Sequence, residues 1–423
     1  MRPQICGGQG GATVKRLGTF LWLLAALLAS GVRASGSEGT PSIEISSPVE
    51  NAEIAGPVNL IEVSGLASPG PFTREDLVVV VDVSGSTLLP SGVDVNGNGR
   101  VGHLIPGPWW ENRLSTDPGD SVRAAEFFAA HRLLDAVDPR RTRVGLVVFE
   151  GRVRRSLPVS APREEVEAAI ASFQRRGAEL GGATNFAAAL RAALAGFEIT
   201  HSGPEEDPRG RHVLFLSDGL PTAPEPPERA GEEALAAAAL LRDAGVAIQS
   251  FALGTAELEG ADLTIYSKMA ELTGGSLTRL PHPADVVAHL PRIDLVGITS
   301  VEVKNQTTGE AARALRLGPD GSFDGFLSLV PGENRIRIQV RDREERSGTR
   351  DRLVTYRPRE PKDVDEARQF DEQGKALLER LRVRTVEAEL VHQIEQSRSG
   401  DAAQGRELEL HTSPEKETPA DAQ

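Results

Sequence analysis

Two rhythms of apolar and polar residues divide this chain. From Asp76 to Asp82 it reads Asp-Leu-Val-Val-Val-Val-Asp, an unbroken β-branched stretch that predicts a parallel strand covered on both faces. Residues 143–149 repeat the pattern, and 213–216 and 246–253 supply two more apolar strands. Between them the apolar period changes to that of a helix. Val122, Ala125, Ala129 and Leu133 share one face of a segment that Asp120 can cap and that runs to Val137. Further helices are expected over 163–174, 185–197, 231–244 and 262–272. Strand and helix in alternation predict an α/β domain over residues 74–291 with a doubly wound, mostly parallel, Rossmann-like sheet. Its ligands belong beyond the carboxyl ends of the strands.

On either side the pattern alternates with a period of two. Residues 42–46 and 58–63 read as strands, closed by Pro69, Gly70 and Pro71. After Pro291, strands are expected at 300–304, 326–330, 336–340 and 352–356, with turns at 318–322 and 331–334. Ile45-Ser46-Ser47-Pro48 and Val63-Ser64-Gly65 resemble the opening of a bacterial immunoglobulin-like domain. Residues 301–305, Asp320-Gly321-Ser322-Phe323 and Pro331-Gly332-Glu333-Asn334 resemble the rest. Each half is too short to bury a sandwich core alone. The simplest reading is one split β-sandwich, 41–71 plus 294–357, with the α/β domain inserted in a loop. Two unrelated β pieces flanking it are the other. Residues 360–398 form a charged C-terminal helix with Val383, Val386, Leu390 and Ile394 on one face. It either packs on the β domain or pairs with a partner helix in assembly. Residues 399–423 have the composition of a disordered tail.

The first 34 residues change the picture of where the chain works. Lys15 and Arg16 precede an apolar run from Leu17 to Val32, followed by Val32-Arg33-Ala34, the layout of a secretory signal peptide. The run is short for a membrane span, and an uncleaved anchor is the alternative. Beyond it nothing is apolar enough to cross a bilayer. Cys6, the single cysteine, lies inside this segment, so an exported bacterial protein without disulfides is expected, periplasmic, cell-surface or secreted. Removing residues 1–34, with four basic side chains (Arg2, Lys15, Arg16, Arg33) and no acid, takes the formal charge from −14 to −18. Such a chain repels nucleic acid and anionic membranes and suits cations.

The chemistry sits at the strand ends. Asp82-Val83-Ser84-Gly85-Ser86 follows the first apolar strand, Gly181-Gly182-Ala183-Thr184-Asn185 leads into a helix, and Leu216-Ser217-Asp218-Gly219 ends another strand. Their oxygens are hard donors suited to Mg²⁺ or Mn²⁺ rather than zinc. The same residue types also serve as caps and turns. Together, the three pieces resemble the metal-ion-dependent adhesion site of von Willebrand factor A-type domains, over residues 74–291. That resemblance implies that Ser84, Ser86 and Thr184 ligate through hydroxyls and that Asp82 and Asp218 bind directly or through water. An acidic group of a partner would complete the coordination.

A second cluster, Asp94, Asn96, Asn98 and Gly99, matches the opening of a calcium loop, with the Arg100 carbonyl as a further ligand. Ile105 stands where an EF-hand places its glutamate, and Asp117 or Asp120 could substitute. A plain polar turn is the alternative. The 87–119 connection is long enough to suggest a role, and Trp109-Trp110 is a binding edge or a packed anchor. His103, His131, His212, His282 and His289 show no metal or triad spacing, Ser84 lies outside a nucleophile-elbow motif, and no phosphate loop appears. A non-enzymatic binding module is therefore expected. The competing reading is an envelope scaffold in which the metals only stabilise the fold.

Overall fold

A computed structural model describes residues 40–70, 74–105, 114–175, 182–198, 209–254 and 263–410. The signal segment, Trp109-Trp110, Gly181 and residues 411–423 lie outside the described residues. Among those described, no helix is long and apolar enough to cross a membrane.

The strands of the first β segment are β1 (Ser42–Ser47), β2 (Ala52–Ala55) and β3 (Leu60–Ser68). The α/β region contains β4 (Arg74–Asp82), α1 (Val122–Ala136), β5 (Thr142–Phe149), β6 (Val153–Leu157), α2 (Arg163–Arg175) and α3 (Phe186–Gly196). It continues with β7 (Arg209–Ser217), α4 (Pro227–Asp243), β8 (Ala247–Leu253), α5 (Thr264–Thr273), β9 (Leu277–Leu280) and the short α6 (Val286–His289). Its six-stranded sheet has the order β6-β5-β4-β7-β8-β9. Every neighbouring pair is parallel except β5 with β6. Strand β4 is central because Leu77–Val81 is apolar toward both faces, and all five residues are buried. Leu77, Val79 and Val81 pack under α1 and α2, whereas Val78 and Val80 pack under α3 and α4. From β4 the chain goes to β5 on one side and later to β7, β8 and β9 on the other. The switch point therefore falls between the carboxyl ends of β4 and β7, the place where open sheets of this kind bind ligands.

The later β segment supplies β10 (Ile298–Asn305), β11 (Arg313–Leu317), β12 (Ser322–Ser328), β13 (Gly332–Asp342) and β14 (Ser347–Arg357). Two four-stranded sheets result, β1-β3-β12-β11 and β10-β13-β14-β2, each drawing strands from both segments. Strand β12 pairs with β3 from Ser322↔Leu66 to Ser328↔Leu60, and β2 runs parallel to β14. Ile43, Val63, Phe323, Ile336, Ile338 and Val354 share one core. A buried carboxylate ties this core to the α/β region. Asp320 accepts hydrogen bonds from the Asp138 N–H (2.9 Å) and the Thr142 hydroxyl (2.7 Å).

The last helix, α7 (Val364–Leu410), extends past residue 398. It takes in residues 399–410 of the expected tail, six of which are Ala, Glu or Leu, which favour helix. The helix packs on its own chain. Arg380 pairs with Glu62 and Arg384 with Asp324 on the sandwich, while Ile394 is buried in the α/β core beside Leu390. The expected apolar face is split. Val383 and Val386 are exposed, and Val391 and Ile394 are buried.

Candidate metal centre

Three loops converge at the switch point. The first leaves β4 at Asp82, passes Ser84 and makes one 3-10 turn over Gly85–Leu88. The Ser84 N–H donates to Asp82 Oδ1 (2.8 Å), folding the loop back over the strand end. The Ser84 and Ser86 hydroxyls then lie 3.2 Å apart, and the Ser86 hydroxyl donates to Asp218 Oδ1 (2.7 Å) at the end of β7. The third loop carries Thr184 just before α3, whose N-cap is Asn185. Its backbone is pinned, since Thr184 N–H donates to the Thr222 hydroxyl (2.9 Å) and its carbonyl accepts from Thr222 and Ala223. Gly219 lies between them, since a Cβ there would sit at ordinary contact distance from both, 3.7 Å from Ser86 Oγ and 4.0 Å from Thr184 Oγ1. The structure thus brings Asp82, Ser84, Ser86, Thr184 and Asp218 together, all buried.

Several supporting residues were not singled out from the sequence. The Ser217 hydroxyl donates to Asp82 Oδ2 (2.5 Å). Tyr266, from α5, donates to the Gly219 carbonyl. Arg123, in the first turn of α1, donates to the Val83 carbonyl (2.8 Å) and the Thr87 hydroxyl (3.3 Å). Ser217 is adjacent to Asp218 and could have been found from the motif. Tyr266 and Arg123 arrive from distant helices and leave no local signal.

The electrostatics favour a cation. Burial pushes the Asp82 carboxyl up to about 6, against hydrogen bonds from Ser217 and Ser84 and the charge of Arg123. A buried carboxylate so penalised stays ionised at neutral pH more readily with a positive ion beside it. The donor set of three hydroxyls and two carboxylates fits a hard divalent ion. Among the described residues no cluster of three or more His, Cys, Asp or Glu forms a metal site, so this centre depends on its hydroxyls.

The loop around Asp94 is organised differently. Asp94 accepts the N–H groups of Asn98 (3.1 Å) and Gly99 (2.7 Å), with Gly97 and Gly99 at positive φ where the chain doubles back. Asp117 closes the ring, accepting from the side-chain amides of Asn96 (3.1 Å) and Asn98 (2.6 Å). Those amides hold its carboxyl below the usual range. Asp120 departs from the expectation. It is fully buried, and its oxygens accept the N–H groups of Val95 (2.8 Å), Asn96 (3.3 Å) and Gly102 (2.9 Å). It is therefore the strut under the loop rather than an open ligand. Arg100 donates its N–H to Asn98 Oδ1 (2.9 Å). The histidines stay apart: His131 pairs with Asp135, and His212 with Glu75 on β4.

No curated protein matches the chain. Among solved structures, the chain is similar to proximal thread matrix protein 1 from the mussel byssus, at 15% identity over 52% of this chain and 46% of that one, with a TM-score of 0.35. It thus spans about half the length of the mussel protein. BatB from Bacteroides thetaiotaomicron is similar at 16% identity over 51% of this chain and 98% of that one, TM-score 0.32. Manganese-loaded Plasmodium vivax TRAP protein is similar at 10% identity over 71% and 100%, TM-score 0.33. Residues 77–220, which hold all five converging side chains, match the family model of the von Willebrand factor type A domain.

Proposed function

We propose that this chain is an exported bacterial binding protein that grips an acidic group of its partner through Mg²⁺ or Mn²⁺. Ser84, Ser86 and Thr184 hold the ion by their hydroxyls, and Asp82 and Asp218 bind it directly or through water. The observation that carries the reading is the convergence of these five buried side chains at the sheet's switch point, with Ser86 linking Ser84 to Asp218. Only two of the five are charged, so a divalent ion is not over-neutralised and stays electrophilic toward a further carboxylate. The bound ion would supply Lewis acidity, and the protein residues would fix its position.

The loop of Asp94, Asn96, Asn98, the Arg100 carbonyl and Asp117 is proposed as a Ca²⁺ site that orders the adjoining surface, with Asp120 bracing it. No catalytic role is assigned. The signal-like residues 1–34 and the acidic charge support export, and nucleic acid is not a proposed partner. The test is binding to an array of Asp- and Glu-containing peptides by the full chain in Mn²⁺, in chelator, and as Asp218→Ala. Capture in Mn²⁺ alone, lost in the variant, supports the reading. Metal-dependent stability without any peptide capture favours the scaffold.

A further inference from the structure

Glu126 lies behind the metal centre and has no place in the ligand set. Helix α1 packs against β4 and against the 3-10 turn that carries Ser86. Arg123, in its first turn, reaches the Val83 carbonyl. Glu126 follows three residues later, on the same helix face. It is 0% exposed, yet neither carboxylate oxygen has a hydrogen-bond partner. Buried polar groups in native proteins are nearly always satisfied, and an exception asks for an ion or an ordered water.

The neighbourhood says which. Glu126 feels the charges of Asp218 and Asp82, and Arg123 offsets them only in part. Three carboxylates and one guanidinium sum to a charge of −2 when ionised. A divalent cation neutralises that cluster, whereas an isolated water does not. The burial that would otherwise expel Glu126's charge then becomes tolerable.

We infer that Glu126 is a sixth residue of the metal centre, a positioning carboxylate that accepts hydrogen bonds from water bound to the cation. This rests on the metal reading above. Such outer partners orient a metal's ligands, and their loss typically weakens metal binding by ten- to a hundredfold.

The test titrates Mn²⁺ into the chelator-stripped full chain, following free Mn²⁺ by electron paramagnetic resonance, for wild type, Glu126→Gln and Asp218→Ala. Urea unfolding in chelator runs in parallel. Glu126→Gln is expected to bind Mn²⁺ about ten- to a hundredfold more weakly while unfolding at the same or higher urea concentration. A purely structural carboxylate would not separate those two readouts. If Gln does not fold, Glu126→Met, which suits the apolar surroundings, carries the same expectation. Wild-type binding that Asp218→Ala abolishes and the Glu126 variant leaves within twofold would overturn the inference alone. Absence of wild-type binding would overturn the metal reading and this inference with it.

Discussion

Replacing Asp82 by Asn should strengthen the metal-free fold and weaken the metal-bound one. Burial raises the Asp82 carboxyl from its ordinary 3.8 to about 6, which at about 1.36 kcal/mol per pH unit puts the cost of keeping it ionised in the folded chain at about 3 kcal/mol. The sign follows from a folded-state value above the unfolded one. The favourable contribution is complete below pH 3.8 and is lost as pH rises through about 6. Asn, similar in size and unable to ionise, suffers no such loss. It can still accept the Ser84 N–H, but its amide nitrogen takes the place of Oδ2 and cannot accept from Ser217, whose hydroxyl must turn to accept instead, which reduces the gain. In chelator at pH 7.5, urea unfolding followed by circular dichroism should therefore show Asp82→Asn more stable than wild type by about 1–3 kcal/mol. The gap should close by pH 4. With Mn²⁺ at a thousand times its Kd, wild type gains about 4.1 kcal/mol and the order reverses. A variant less stable than wild type in chelator, with a gap indifferent to pH, would refute the reasoning.

Other outcomes follow from particular contacts. Asp320→Ala leaves the Asp138 N–H and the Thr142 hydroxyl without their acceptor, while Ser322 keeps the Ala136 carbonyl, and thermal unfolding should report a loss of about 2 kcal/mol. Phe186 packs at 4.7 Å from the Phe215 ring and 5.5 Å from Tyr266. Phe186→Ala should cost about 3–5 kcal/mol in urea unfolding and loosen the start of α3, just after Thr184. Asp117→Ala removes the carboxylate that Asn96 and Asn98 share. Calorimetry should show Ca²⁺ heat lost while Mn²⁺ binding persists, and retained Ca²⁺ heat would disprove that loop's role.

The parts of this fold that were legible are those in which neighbouring residues share one environment. Leu77–Val81 is apolar throughout because both faces of β4 are covered, and the site residues sit where such strands end. The missed strands are short and poorly covered. β2 and β6 lie at sheet edges with mostly part-buried or exposed residues, so neither repeats an apolar pattern long enough to read. Helix α7 misled for a related reason. It leaves the sandwich and reaches the α/β core along its length, so the buried face of its first half does not continue into its second. The five proposed ligands could be found from three short motifs. Arg123, Glu126 and Tyr266 could not, since their roles come from helix packing against distant strand ends.

The most direct test of the central claim is calorimetric titration of Mg²⁺, Mn²⁺ and Ca²⁺ into the chelator-stripped full chain beside Asp218→Ala. The account predicts Mg²⁺ or Mn²⁺ binding in wild type that disappears in the variant, with a separate Ca²⁺ event retained. Equal Mg²⁺ and Mn²⁺ heats in the two proteins, or a wild type that neither binds these ions nor gains stability from them, would contradict it.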